Sequence, residues 1–169
     1  MDNSKSITPV DDIETDKINN EPYYQISKIN NYIYLGSFEH PAINSDEFKL
    51  LDIDVIINCA AEIDYPLDQF NGSKKYVYEK FPIVDGDLNT FLEHMDKAIE
   101  TLAKYLSRGK KIYLHCHKGV SRSPAILAYF LMYNKHWSYF KSLSQLRKKR
   151  SIIDIDDEFV NTLRVIEEN

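Results

Sequence analysis

Two cysteines, Cys59 and Cys116, are all that the 169 residues contain. A pair so far apart builds no disulfide framework and lacks the paired spacing of a zinc site. Long hydrophobic runs are missing as well. The longest, Ala125 to Tyr133, is nine residues, well short of the ~20 that cross a bilayer, so no membrane partner is expected. The N-terminus has no apolar leader stretch, and Asp2 stands where myristoylation needs glycine. Basic charge is not in excess: Lys and Arg number 21 against 26 Asp and Glu, a net charge of −5, which argues against nucleic acid as a partner. No internal repeat or low-complexity block is present. What remains, 43% apolar and 28% charged, is the composition of one globular domain. Its expected location is intracellular, cytoplasmic by default with the nucleus left open.

Residues 1–24 hold six acids against two bases, so −4 of the −5 lies there. Polar and without apolar periodicity, this stretch reads as a disordered or loosely docked acidic tail, with the folded domain over residues 25–169. Four segments have strand character: Ile29–Leu35, Val55–Cys59, Tyr76–Ile83 and Ile112–His115. Between the last two, Phe91, Leu92, Met95, Ala98, Ile99, Leu102, Tyr105 and Leu106 recur at the spacing of one buried helix face. Thr90 and Glu93 have the spacing of a capping box at its start, and Gly109 suits its close. Pro124–Tyr133 is apolar all round, as a central buried helix would be, and helices follow at Tyr139–Lys149 and Asp156–Glu168. The fold class is therefore α/β: a central, mostly parallel sheet of four or five strands with helices on both faces.

The sequence His115-Cys-His-Lys-Gly-Val-Ser-Arg-Ser123 lies where the last strand ends and the central helix begins. Unpaired N–H groups and the positive end of the helix dipole make such a turn a phosphate-binding loop. Gly119 lets the backbone curl so that successive amides face inward, and Arg122 can grip two phosphoryl oxygens at once. Cys116 then lies beneath the anion, where the same field is expected to bring a thiol into the roughly 3.5–7.5 range. The three adjacent residues His115, Cys116 and His117 cannot converge on one ion, so metal is not expected.

The pattern His-Cys, five residues, Arg, then Ser resembles the signature of the cysteine-dependent protein phosphatases, most closely the small dual-specificity phosphatases. The resemblance covers about Ile29 to Phe159 and includes Ile33–Ser37, Ile57–Glu62, Phe81–Asp85 and Lys148–Phe159. It implies a catalytic domain in which Cys116 attacks phosphorus to form a phosphocysteine and Arg122 and the loop His117, Lys118, Gly119, Val120 and Ser121 hold the phosphoryl oxygens. Ser123 would stabilise the departing thiolate, and His115 would orient the loop. No metal or cofactor is required, and the substrate would be a phosphorylated protein carrying phosphotyrosine and phosphoserine or phosphothreonine. The sequence sets no oligomeric state.

A poor leaving group needs a proton, and Asp85 matches the family's general acid. Asp87 is the rival, and Asp85-Gly86 also reads as a turn. The run Arg147–Arg150 reads as a solvated helix end complementing the dipole. Cys59 reads as a buried small side chain, with a second reading as a resolving thiol for an oxidised Cys116. Where the family has Pro-Asn ahead of a late Phe, this chain has Ile155-Asp156 before Asp157, Glu158 and Phe159; Asp156 can cap a helix. Three other functions share the loop: RNA 5′-triphosphatase, phosphoinositide phosphatase and non-catalytic phosphoresidue binding. Phosphoinositide-cleaving relatives carry lysines where this chain has His117 and Val120.

Overall fold

The computed structural model describes residues 20–66 and 74–169. The expected tail, residues 1–24, falls largely outside them, but its end does not. Pro22–Tyr24 form a 3-10 turn with Tyr24 buried, its ring stacked at 4.1 Å on His40 and its carbonyl accepting from His40 Nε2 (2.6 Å). The packed body thus starts before residue 25.

Five strands form one sheet: β1 (Ser27–Lys28), β2 (Ile33–Gly36), β3 (Val55–Ala60), β4 (Val77–Ile83) and β5 (Ile112–His115), in the order β1-β2-β5-β3-β4. Only β1 runs antiparallel to its neighbour; β2, β5, β3 and β4 are parallel. Burial follows position. Every residue of β2, β3 and β5 is buried, whereas outermost β4 is covered only in part, as expected when both faces of inner strands are roofed. Among the described residues, six helices accompany the sheet: α1 (Glu39–Ile43), α2 (Asp46–Leu50), α3 (Leu88–Ser107), α4 (Arg122–Lys135), α5 (Tyr139–Lys149) and α6 (Asp157–Glu168). Phe48 of α2 meets Tyr113 of β5 edge-on at 5.2 Å. Ile112 and Leu114 alternate to the opposite face, where α3 and α4 pack on the sheet.

Three expectations shift. The strand read over Ile29–Leu35 begins only at Ile33, because the Asn30 side chain accepts from Tyr32 N (2.8 Å) and Ile33 N (2.9 Å) and holds a turn. The capping box of Thr90 and Glu93 does not form. Asp87 is the N-cap of α3 instead, accepting from Asn89 N (3.4 Å) and Thr90 N (3.2 Å), while Thr90 Oγ1 accepts from Val84 N (2.9 Å). The run Arg147–Arg150 is solvated only through Lys149: Arg150 is 3% exposed. Asp156 caps α6 as expected, accepting from Glu158 N (3.0 Å), and Gly109 takes the left-handed conformation (φ 68°) after α3.

Candidate active site

β5 delivers Cys116 to the end of the sheet, and α4 begins six residues later at Arg122. The carbonyls of the connecting loop are tied down in order. Cys116 O faces His115 Nδ1 (2.8 Å), His117 O accepts from Phe38 N (3.0 Å), and Lys118 O and Gly119 O accept from Arg150 (2.9 Å each). Val120 O accepts from Asp154 N (2.9 Å), and Ser121 O from Ala125 N (2.9 Å). A trans peptide carries its C=O and the next N–H on opposite edges of one plane. Tying each carbonyl outward therefore turns the N–H groups of residues 117–122 toward the other side of the loop, the cradle an anion needs. No side chain caps α4: Ser121 Oγ accepts from Asp156 N (2.9 Å) instead, so the first-turn donors stay with the cradle.

Gly119 is required twice. Its φ is +66°, and a Cβ there would run into Gly36 O. Gly36 is equally confined, since a Cβ on it would collide with the Tyr113 hydroxyl, which donates to Ser37 O (2.7 Å). The segment Ile33–Ser37 thus serves the site by bringing backbone against backbone.

Cys116 is 3% exposed, and Ser123 Oγ donates to its Sγ at 3.3 Å. It lies in a cleft of about 310 Å³ that Asp85, His117, Lys118, Val120, Ser121 and Arg122 also line. A larger hollow of about 1090 Å³ around Tyr129, Trp137 and Ile166 has neither cysteine nor arginine in its lining. His117 stacks on Phe38 with centroids 5.2 Å apart, and Lys118 Nζ stands 5.3 Å over the Tyr23 ring.

His115 is wholly buried, with Nε2 3.0 Å from the Tyr65 hydroxyl. Burial, reinforced by the charges of Arg122 and Lys80 and opposed by the Cys116 carbonyl, pushes its pKa down to about 4. Its Nδ1 holds the Cys116 carbonyl at the start of the loop.

Arg122 is gripped by a residue the sequence reading named only as part of a segment. Nη1 donates to Glu62 Oε2 (2.6 Å) and to Ile83 O (2.9 Å), Nη2 donates to Glu62 Oε1 (2.5 Å), and Nε lies 3.6 Å from Asp85 Oδ1. Burial opposes the charge of Arg122, yet the Glu62 hydrogen bonds and the nearby Cys116, Glu62 and Asp85 outweigh it and raise its pKa. Glu62, despite its own burial, is held below the usual carboxylate range by the same bonds. This bidentate clamp sets the plane of the guanidinium.

The two candidate acids part company. Asp85 sits in a turn closed by Asp87 N donating to Val84 O (3.0 Å), with Gly86 at φ +71°, and its side chain is 72% exposed at the mouth of the cleft. Asp87 spends its carboxylate on the α3 cap. Cys59, on β3, is fully buried, and that burial pushes its thiol pKa up; the packing reading is the one supported. Among the described residues no helix is long and apolar enough to cross a membrane.

A model of the dual specificity phosphatase catalytic domain matches residues 33–169. Protein phosphatase Slingshot of Drosophila melanogaster is 29% identical over 137 residues, 81% of this chain and 12% of that protein. Dual specificity protein phosphatase 1 of Homo sapiens is 27% identical over 132 residues, 78% of this chain and 34% of that protein. This chain spans a minor part of either relative's length. The crystal structure of a leucine rich repeat and phosphatase domain containing protein from Entamoeba histolytica shares the fold, with a TM-score of 0.70 and 23% identity over 87% of this chain and 93% of that one. The chain belongs to the dual specificity phosphatase family, whose chemistry is cysteine-based hydrolysis of phosphate esters.

Proposed function

We propose that this domain hydrolyses phosphotyrosine and phosphoserine or phosphothreonine in protein substrates. Cys116 attacks phosphorus as the thiolate, the bond to the ester oxygen breaks, and Asp85 protonates that oxygen as the alcohol or phenol departs. The inward amides and Arg122 hold the three equatorial oxygens while charge is redistributed. Water then attacks the phosphocysteine with Asp85 taking its proton, phosphate leaves, and Ser123 Oγ stabilises the sulfur it already faces at 3.3 Å. The observation that carries this reading is the unbroken outward anchoring of the loop carbonyls around Cys116. The reducing interior of the cell, cytoplasm or nucleus, suits a nucleophilic thiol.

One relative of the same fold, PTPMT1, has been solved in complex with PI(5)P, with a TM-score of 0.63. A phosphoinositide substrate is therefore the reading to exclude, although His117 and Val120 stand where phosphoinositide-cleaving relatives have lysines. Rates on a phosphotyrosine peptide, a phosphothreonine peptide, PI(5)P and a triphosphate-ended RNA decide between them. The peptides should be cleaved in preference, and Cys116→Ser and Arg122→Ala should each lose about a thousandfold or more of that activity. Preference for PI(5)P or RNA overturns the protein-substrate assignment. Phosphopeptide binding without turnover overturns catalysis.

A further inference from the structure

Arg150 is the least expected residue of the fold. Its side chain is buried, and among the described residues no carboxylate forms an ion pair with it. Its five N–H bonds are spent on neutral oxygens of two separate segments. Nε donates to Gly119 O (2.9 Å) and Nη2 to Lys118 O (2.9 Å), both in the phosphate loop. Nη1 donates to Gln25 O (2.5 Å) and Ser27 Oγ (3.1 Å), and Nη2 also to Tyr23 O (2.7 Å), all in the chain leading into and opening β1. Burying a cation without a counterion is costly, and burial does push the pKa of Arg150 down, while Tyr113 and Cys116 push it back up.

The geometry gives this arrangement a use. The peptide planes whose carbonyls Arg150 holds are those whose opposite edges carry the N–H groups of Gly119 and Val120. Those planes lie at the sharpest bend of the loop, where Gly119 adopts φ +66° and the backbone has the widest choice of conformation. Among the described residues no other donor holds those two carbonyls, so without the guanidinium the planes are free to turn over and two of the six donors would leave the cradle. The same side chain joins the loop to residues 23–27, and Lys118 repeats that link from the loop side through its contact with the Tyr23 ring.

We propose that Arg150 is a positioning residue for phosphoryl transfer: it aims the Gly119 and Val120 amides at the phosphoryl oxygens, and the docked segment Tyr23–Ser27 completes the clasp that keeps it in place. Its kinetic consequence rests on the phosphatase reading; its effect on oxyanion binding does not. Lysine keeps the charge but offers one nitrogen with three donors in place of three nitrogens in a planar fork, so it cannot replace all five bonds that Arg150 makes. Arg150→Lys and Ser27→Ala are therefore made in the full chain and compared with the wild type for tungstate affinity by calorimetry, for kcat and KM on an aryl phosphate, and for Tm.

Arg150→Lys should bind tungstate about tenfold more weakly and lose about tenfold or more in kcat at temperatures well below its Tm, since a loss of one oxyanion donor is ordinarily worth more still. Ser27→Ala, which removes one of the five bonds that hold the guanidinium, should move both quantities in the same direction by at least about twofold. A purely architectural arginine would lower Tm and leave tungstate affinity and kcat within twofold of wild type, and that result overturns the proposal. Should Arg150→Lys not fold, Ser27→Ala decides: unchanged tungstate affinity overturns the proposal. A wild type that binds tungstate and turns over no ester sinks the phosphatase reading and leaves the tungstate comparison standing.

Discussion

Acid should cost this protein stability through His115 in particular. The Cys116 carbonyl at 2.8 Å from Nδ1 can only accept, so Nδ1 carries the proton, and in the neutral ring Nε2 must receive the Tyr65 O–H at 3.0 Å. Burial also raises the Tyr65 pKa well above the ordinary value, so that O–H stays in place. A second proton on His115 would point at this hydroxyl inside a fully buried site. In the folded state His115 accepts it only near pH 4, against 6.5 for an ordinary histidine. Between those values the unfolded chain binds more protons than the folded one, so stability falls as the pH falls.

The whole gap is worth about 3 kcal/mol at 1.36 kcal/mol per pH unit, and about 2 kcal/mol of it is gone by pH 5. With a urea slope of about 2 kcal/mol/M, the midpoint should drop by about 1 M between pH 7.5 and 5.0 from this residue alone. Other groups titrate too. Glu62, held low mainly by Arg122, adds to the acid loss, and Glu39, raised by burial, opposes it. The informative quantity is the difference between wild type and His115→Asn, each followed through the fluorescence of the single tryptophan, Trp137. The variant's midpoint should fall by about 1 M less over that pH range. Equal drops in both proteins would refute the buried, neutral assignment.

The division of labour between Asp85 and Asp87 can be separated by two readouts. Asp87→Ala should lower stability by about 1 kcal/mol through loss of the α3 cap and slow aryl and alkyl phosphates alike, if at all. Asp85→Ala should leave stability nearly unchanged and slow alkyl phosphates far more than aryl phosphates with good leaving groups, because only the former need its proton. The opposite pattern exchanges the two roles. Gly119→Ala forces a side chain into the left-handed region and against Gly36 O; it should abolish tungstate binding and turnover, and full activity in this variant would show that the loop is not held as described.

Much of this site is written locally. Cys116, Arg122 and Ser123 lie within eight residues, between an apolar strand and an apolar helix, so the signature and the periodicity point to the same place. Local evidence also explains the errors. Asp87 and Thr90 are both good caps, and the choice fell to Asp87 because the turn at Gly86 closes its amide onto Val84. Helices α1 and α2, five residues each, are too short to display a period, and β1 owes its existence to pairing with β2. Arg150 and Glu62 were hidden for a different reason. Arg150 closes a run of four basic residues, and its Gln25 contact spans 125 positions of sequence; Glu62 meets Arg122 across 60. Interactions of that kind leave no spacing to detect.

Rapid quench of the enzyme mixed with an aryl phosphate, followed by peptide mass analysis, measures the claim on which the chemistry depends. A phosphoryl group should be found on the peptide containing Cys116, should accumulate further in Asp85→Asn, which lacks the carboxylate that activates water, and should be absent in Cys116→Ser. Phosphate released at the wild-type rate by Cys116→Ser, or a phosphoryl group carried on any other residue, would contradict the account.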